Sequence, residues 1–174
     1  MPARRAPRSA LDAWLEIPSR LEAAAAGRSA RALDRRGGEH GWSPRETIHH
    51  LVEANLVAAG MIIAAMGKSG STFDWTWLNP DRAWMRRLGY DRAPVAPAIA
   101  ALRAVGRHLG GLVRAARGAR SRTVVLFDTP GGRRYRRTVE AILREEAGHA
   151  AEHLAALREA TRAPRSAGGR KPTG

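Results

Sequence analysis

Residues 42–66 read WSPRETIHHLVEANLVAAGMIIAAM, and both the class of fold and its chemistry are approached from here. Ser43 is a natural helix cap, Pro44 suits the first helical position, and Glu46 sits where it closes a capping box. Three independent signals therefore start one helix at the same point. At about 100° per residue, Ile48, Leu51, Val52, Asn55, Ala59, Ile62 and Met66 form an apolar-rich face. Ala54, Val57, Ala58, Met61 and Ala65 take most of the opposite side. Only a strip around His49 and Glu53 is left for water, and a helix apolar on most sides belongs in the interior of a helical assembly. His50 lies in line with Ala54, Val57 and Met61, so of the two adjacent histidines it is the one expected to point inward.

A second interior stripe runs through a helix expected over 138–161, marked by Val139, Ile142, Leu143, Ala150, Leu154 and Leu157. His149 and His153 fall within or beside it, and so does Glu146. Four residues is close to one turn, so the two imidazoles project side by side. Such a pair is a common way for a helix to offer two metal ligands, and a third from a facing helix leaves coordination positions open, as catalytic sites require. The alternative is that each is a core histidine satisfied by hydrogen bonds. His40, in a glycine-rich loop, and His108 are read as ordinary surface residues. HAAEH, residues 149–153, also fits the H-x-x-E-H pattern of some zinc peptidases. It lacks the downstream carboxylate, since Glu159 is the sole acid beyond it, and Glu152 points to the helix edge.

The rest of the chain fits one all-α domain over 9–163, between basic, Pro/Gly-containing tails at 1–8 and 164–174 expected to be disordered. A first helical stretch begins near Ser9, carries Leu11, Trp14, Leu15 and Leu21, and is kinked or interrupted at Pro18. After the central helix comes a long loop with Phe73, Trp75, Trp77, Trp84 and Tyr90 and a short helix over 81–88, then a helix over 95–118. SRTVVLFDTPGGRRYRRT, from Ser121 to Thr138, reads as two short β-type runs about a Pro-Gly-Gly turn, either a small hairpin or an ordered loop. There is no cysteine, which excludes disulfides, thiolate metal sites and a cysteine nucleophile. No signal segment or membrane span is read, and a soluble cytoplasmic protein is expected.

The net charge of +14 raises nucleic-acid binding. Of the 30 basic residues only Lys68 and Lys171 are lysines, a bias that points to GC-rich coding. Part of the charge sits in the tails, and neither a recognised module nor a base-stacking aromatic array accompanies it, so binding of nucleic acid is not expected.

Trp42-Ser43 followed by His50-Leu51, Phe73-Asp74 with Trp84 and Tyr90, and Arg137-Thr138-Val139-Glu140 leading to His149-x-x-x-His153-Leu154 together resemble the DinB/YfiT-like superfamily of metal-binding proteins. The resemblance spans about Ser9 to Ala163. It implies a four-helix bundle of up-down-down-up topology, often a homodimer. It also implies one zinc or nickel ion on His50, His149 and His153, the residues that the helical faces select. The superfamily includes thiol S-transferases using bacillithiol, and a mycothiol-dependent isomerase looks related, so a low-molecular-weight thiol such as mycothiol or bacillithiol is a candidate cofactor. The sequence departs from some relatives at Glu145, where they carry a histidine or another polar group.

The leading functional reading is a metal-dependent transferase or hydrolase, with Glu146 as general base or as a partner that orients a ligand. Trp75, Trp84 and Tyr90 would wall the pocket, and Arg134, within the cluster of Arg133, Arg136 and Arg137, would attract an anionic substrate. The rival is a noncatalytic metal- or ligand-binding protein of the stress response, and a third reading is a basic nucleic-acid-binding protein.

Overall fold

The computed structural model describes residues 9–37 and 39–162; the tails at 1–8 and 164–174 lie outside the described residues. Ser9 caps α1 (Ala10–Leu15), its hydroxyl accepting the Asp12 N–H. Pro18 falls in the first turn of α2 (Ile17–Ala25), where a missing N–H costs no hydrogen bond, so the interruption anticipated at Pro18 is a break at Glu16. Ser29 caps a short α3 (Ala30–Asp34) that the sequence reading passes over. The capping box is present as expected at the start of α4 (Pro44–Gly67): Ser43 Oγ accepts from the Glu46 N–H at 3.2 Å, and Glu46 Oε2 accepts from the Ser43 N–H at 2.7 Å. Asp81 caps α5 (Arg82–Arg87), the short helix anticipated in the long loop. Then follow α6 (Val95–Ala115) and α7 (Val139–Arg162).

Cross-links between elements fix the direction of each helix. Asp12 pairs with Arg114 and Glu22 with Arg103, so the α1–α2 pair runs antiparallel to α6. His49, near the start of α4, meets the carbonyl of Ala93 just before α6, so those two helices start at the same end. α7 begins at the opposite end, where the Val139 N–H bonds the Arg122 carbonyl and Arg122 reaches the carbonyl of Met66. The result is a four-helix bundle with up-down-down-up topology. Its core encloses Leu11, Leu51, Ile62, Leu109 and Leu143.

The two parallel helices require the 68–94 crossover, and the same arrangement creates a small sheet. β1 (Ser71–Thr72) follows α4, while β2 (Thr123–Phe127) and β3 (Arg134–Thr138) follow α6. β1 pairs parallel with β2, and β2 pairs antiparallel with β3 through a turn where Gly131 has φ 69°. The hairpin was one of two sequence expectations for this stretch; the added strand was not anticipated. Thr138 ends β3 and caps α7, its hydroxyl accepting the Ala141 N–H at 3.1 Å.

Asn55 shows how the core tolerates a polar residue. Fully buried, it accepts the Trp14 indole N–H at 2.7 Å and donates to the Leu51 carbonyl at 2.7 Å. Asn55→Leu would leave that indole N–H buried without an acceptor, at a cost of about 1–3 kcal/mol. Urea unfolding at neutral pH checks this; an unchanged midpoint would contradict it.

One sequence expectation fails on α4. His49 was assigned to the solvent strip, yet it is 8 % exposed, with its ring stacked on Tyr90 at 5.1 Å. The strip itself is real and continues through Leu56, Gly60 and Ile63. Leu56 and Ile63 are exposed, whereas the crossover loop folds back over its His49–Glu53 end. Helical periodicity places residues on a face but carries no information about a distant loop. By length and composition alone α4 is apolar enough to cross a membrane. In the fold it is the bundle's core helix and most of it is buried, which accounts for that composition.

Candidate metal centre

The capped first turns of α4 hold His50 facing α7, and the i, i+4 spacing on α7 presents His149 and His153 toward it. One nitrogen from each of the three lies within 4.8 Å of the others. His50 Nε2 and His149 Nε2 are 3.3 Å apart. Two nitrogens bound to one zinc at about 2.0–2.1 Å and near the tetrahedral angle stand about 3.4 Å apart, so the observed pair has the separation that a shared ion requires. The rings stand edge to face, with centroids 5.2 Å apart for His50–His149 and 4.7 Å for His149–His153. His50 and His153 are buried, while His149 is half-buried and borders open space.

Burial, and then the charge that His149, His153 and His40 would carry, holds the His50 imidazole down to about pKa 3. Neutral imidazole is the form that binds a metal, so the site is prepared for one. Burial also lowers His49. In the unfolded chain both rings take up protons near 6.5, whereas folded His50 does so only near 3. The unfolded state therefore binds more protons across that interval. The metal-free protein should keep full stability above pH 6.5 and lose it progressively as pH falls toward 3. Melting temperatures between pH 7.5 and 4 check this; a flat profile would contradict it.

Glu146 lies where the sequence reading put it, with Oε2 3.5 Å from His149 Nδ1. A carboxylate on that side favours the tautomer with a proton on Nδ1, leaving Nε2 free to face His50. Glu145, one position earlier, pairs with Arg137 at 2.8 Å. Both carboxylates border a cavity of about 310 Å³ that opens directly from His50 and His149. Ala54, Val57 and Met61 of α4 form one wall, in the line read from the sequence, and Ile142 of α7 another. Leu126 and Tyr135 of the sheet and Trp75 of the crossover loop close it.

Trp75 therefore lines the cavity, whereas Trp84, Tyr90 and Arg134, also read as substrate residues, do not border it. Trp84 and Tyr90 donate from indole and phenol to Glu53, pinning the loop to α4 outside the cavity. Burial and the Glu53 carboxylate push the Tyr90 phenol up, keeping it protonated. Arg134 is exposed on β3, its guanidinium 5.3 Å from the Phe127 ring centroid, on the opposite side of that strand from Tyr135. Strand alternation was the available signal: Tyr135 turns to the cavity, so its neighbour Arg134 cannot.

Two residues near the centre were undervalued. Trp42, given no role in the site by the sequence reading, stacks on His153 with centroids 5.9 Å apart and meets the edge of His50 at 5.0 Å. His40 is exposed, as expected, but its ring lies 5.1 Å from Trp42 and 6.4 Å from His153. Its φ of 56° is unusual for a residue with a side chain. His108 is exposed on α6 as expected, and so is Glu152 on α7, consistent with setting the peptidase pattern aside.

A family model described as the DinB superfamily matches residues 13–157. Among solved structures, the chain is similar to YfiT from Bacillus subtilis, described as a "probable metal-dependent hydrolase with an unusual four-helix bundle topology". That likeness has a TM-score of 0.74 and 19 % identity, and covers 91 % of each chain. No match was found among curated proteins. The chain belongs to the DinB superfamily.

Proposed function

We propose that this DinB-superfamily member is a metal-dependent hydrolase of a small molecule, using one zinc or nickel ion held by His50, His149 and His153. The observation that carries the reading is the convergence of three imidazoles, two of which, His50 and His149, border a cavity that the Glu146 carboxylate also lines. Three protein ligands leave a tetrahedral or larger coordination sphere incomplete, the arrangement of catalytic sites. An ion there supplies Lewis-acid chemistry, polarising a substrate oxygen and making water a nucleophile near neutral pH.

The chain's own residues supply the rest. His50 is held neutral by burial, and the nearby Glu146 carboxylate favours a proton on His149 Nδ1. In this reading Glu146, which borders the cavity, acts as the general base that takes the proton of attacking water and returns it to the leaving group. The description of YfiT as a probable metal-dependent hydrolase supports hydrolysis as the reaction class.

Elemental analysis of the protein purified without an affinity tag should find about one equivalent of zinc or nickel. The loaded protein should hydrolyse some of a panel of small neutral esters and amides, and dipicolinate should abolish that turnover. Glu146→Gln should lower kcat by about 10²–10⁴-fold, the range for loss of a general base. Bound metal with no turnover across the panel would instead favour a noncatalytic metal-binding protein.

A further inference from the structure

The cavity beside the histidines has a composition unusual for this chain. The protein carries 30 arginines and lysines, yet among the described residues none lines this space. Its walls are mostly hydrocarbon and aromatic: Ala54, Val57, Met61, Leu126, Ile142 and Trp75. The charged groups at its edge, apart from the histidines, are the carboxylates of Glu145 and Glu146. Arg137 is paired with Glu145 and lies over the Tyr135 ring at 4.7 Å, so its charge is already engaged. The indole N–H of Trp75 is buried and has no acceptor among the described residues. That N–H has no surface open to the cavity, so it offers no hydrogen-bond donor to a molecule seated there.

We propose that the substrate is a compact molecule whose non-reacting part is an uncharged, apolar group seated in this cavity, with its polar reacting end at the three histidines. The inference rests on the functional reading above and narrows its substrate class. A volume of about 310 Å³ lies at the lower end of ligand pockets, which run from about 300 to 1,000 Å³, and so admits a single ring or short branched chain. A second anionic group on that part of the molecule would meet the Glu146 carboxylate and no unpaired cation, since Glu145 and Arg137 already offset each other. The arginine-rich face of β3, which the sequence reading offered as an anion attractor, does not border this space.

Three hydroxamates test the proposal on the full-length, zinc-loaded protein, with affinities from calorimetry normalised to those for aqueous zinc. Benzohydroxamate carries an apolar ring, acetohydroxamate only a methyl group, and 4-carboxybenzohydroxamate the same ring with an added negative charge. Benzohydroxamate should bind at least tenfold more tightly than either of the others. Ala54→Phe, which fills the wall, should weaken benzohydroxamate at least tenfold while zinc content is retained. Equal affinities for the benzo and aceto compounds, or a preference for the carboxylated ring, would overturn the proposal, and these wild-type comparisons stand even if the variant fails to fold. Benzyl alcohol, which does not need the metal, should shift the Met61 methyl resonance in metal-free protein. Loss of zinc binding with that shift preserved would sink the hydrolase reading and leave the apolar site standing; bound zinc without the shift would do the reverse.

Discussion

The His149→Ala, His153→Ala double variant is expected to bind no zinc or nickel under conditions where the wild-type protein retains about one equivalent. Removing a residue that merely supports a ligand costs about 10–100-fold in metal affinity, and here two of three ligands disappear while His50 alone remains. Stability gives a second readout. A ligand present at 100 times its Kd stabilises the folded state by about 2.7 kcal/mol, which for a domain of this size raises Tm by about 5–11 °C. Wild-type protein should show that rise on adding metal and the double variant none, with far-UV circular dichroism confirming that its helices persist. Glu146→Gln should fall between them, keeping the metal with affinity reduced by about 10–100-fold because the partner of His149 Nδ1 is weakened. Equal metal content in the wild type and the double variant would remove the three-histidine centre from the protein.

Local signals made much of this legible in the sequence. The cap at Ser43, the proline at N1 and the apolar faces of α4 and α7 are encoded within a few residues, and they sufficed to place His50, His149 and His153 on facing helices. The wall of Ala54, Val57 and Met61 followed from the same periodicity, since these residues recur on the side of α4 that carries His50. What the sequence hid depends on contacts between distant segments. His49 and Glu53 occupy a polar strip that looks solvent-facing until the crossover loop arrives with Tyr90 and Trp84. The two-residue strand Ser71–Thr72 has no pattern of its own and exists because β2 lies beside it. Arg134 and Tyr135 are adjacent in sequence, so composition could not separate them, although alternation along a strand could. The burial of Trp42 against His153 requires the turn at 39–41 and α5 to enclose it, neither of which can be read from the Trp-Ser pair.

Trp42 is the residue at which fold and site are most tightly joined, and Trp42→Ala should be among the most damaging single substitutions. The side chain is 8 % exposed and packs with Met85 and Tyr90 on one side and with the rings of His50 and His153 on the other. Truncating a buried tryptophan costs about 3–5 kcal/mol in lost burial and residual cavity, a large part of the about 5–15 kcal/mol that stabilises an ordinary domain. If Trp42 only filled space, the variant would unfold earlier yet bind metal normally once folded. Its near-parallel stacking on His153, at an interplanar angle of 15°, argues for more, because that contact limits the rotation of a ligand ring. Metal affinity should therefore fall by about 10–100-fold, the range for loss of a supporting partner, when measured well below the melting temperature of the variant. Trp42→Phe, which keeps an aromatic face beside His153, should recover most of the affinity while regaining only part of the stability. Glu53→Gln provides the contrast: it weakens the anchor of Tyr90 and Trp84 without touching a histidine of the centre, so it should lower Tm and leave metal affinity within about twofold, a small fraction of the change expected for loss of a ligand's partner. Matching losses of affinity in Trp42→Ala and Glu53→Gln would mean that the site responds to general loosening of the fold and that Trp42 has no positioning role.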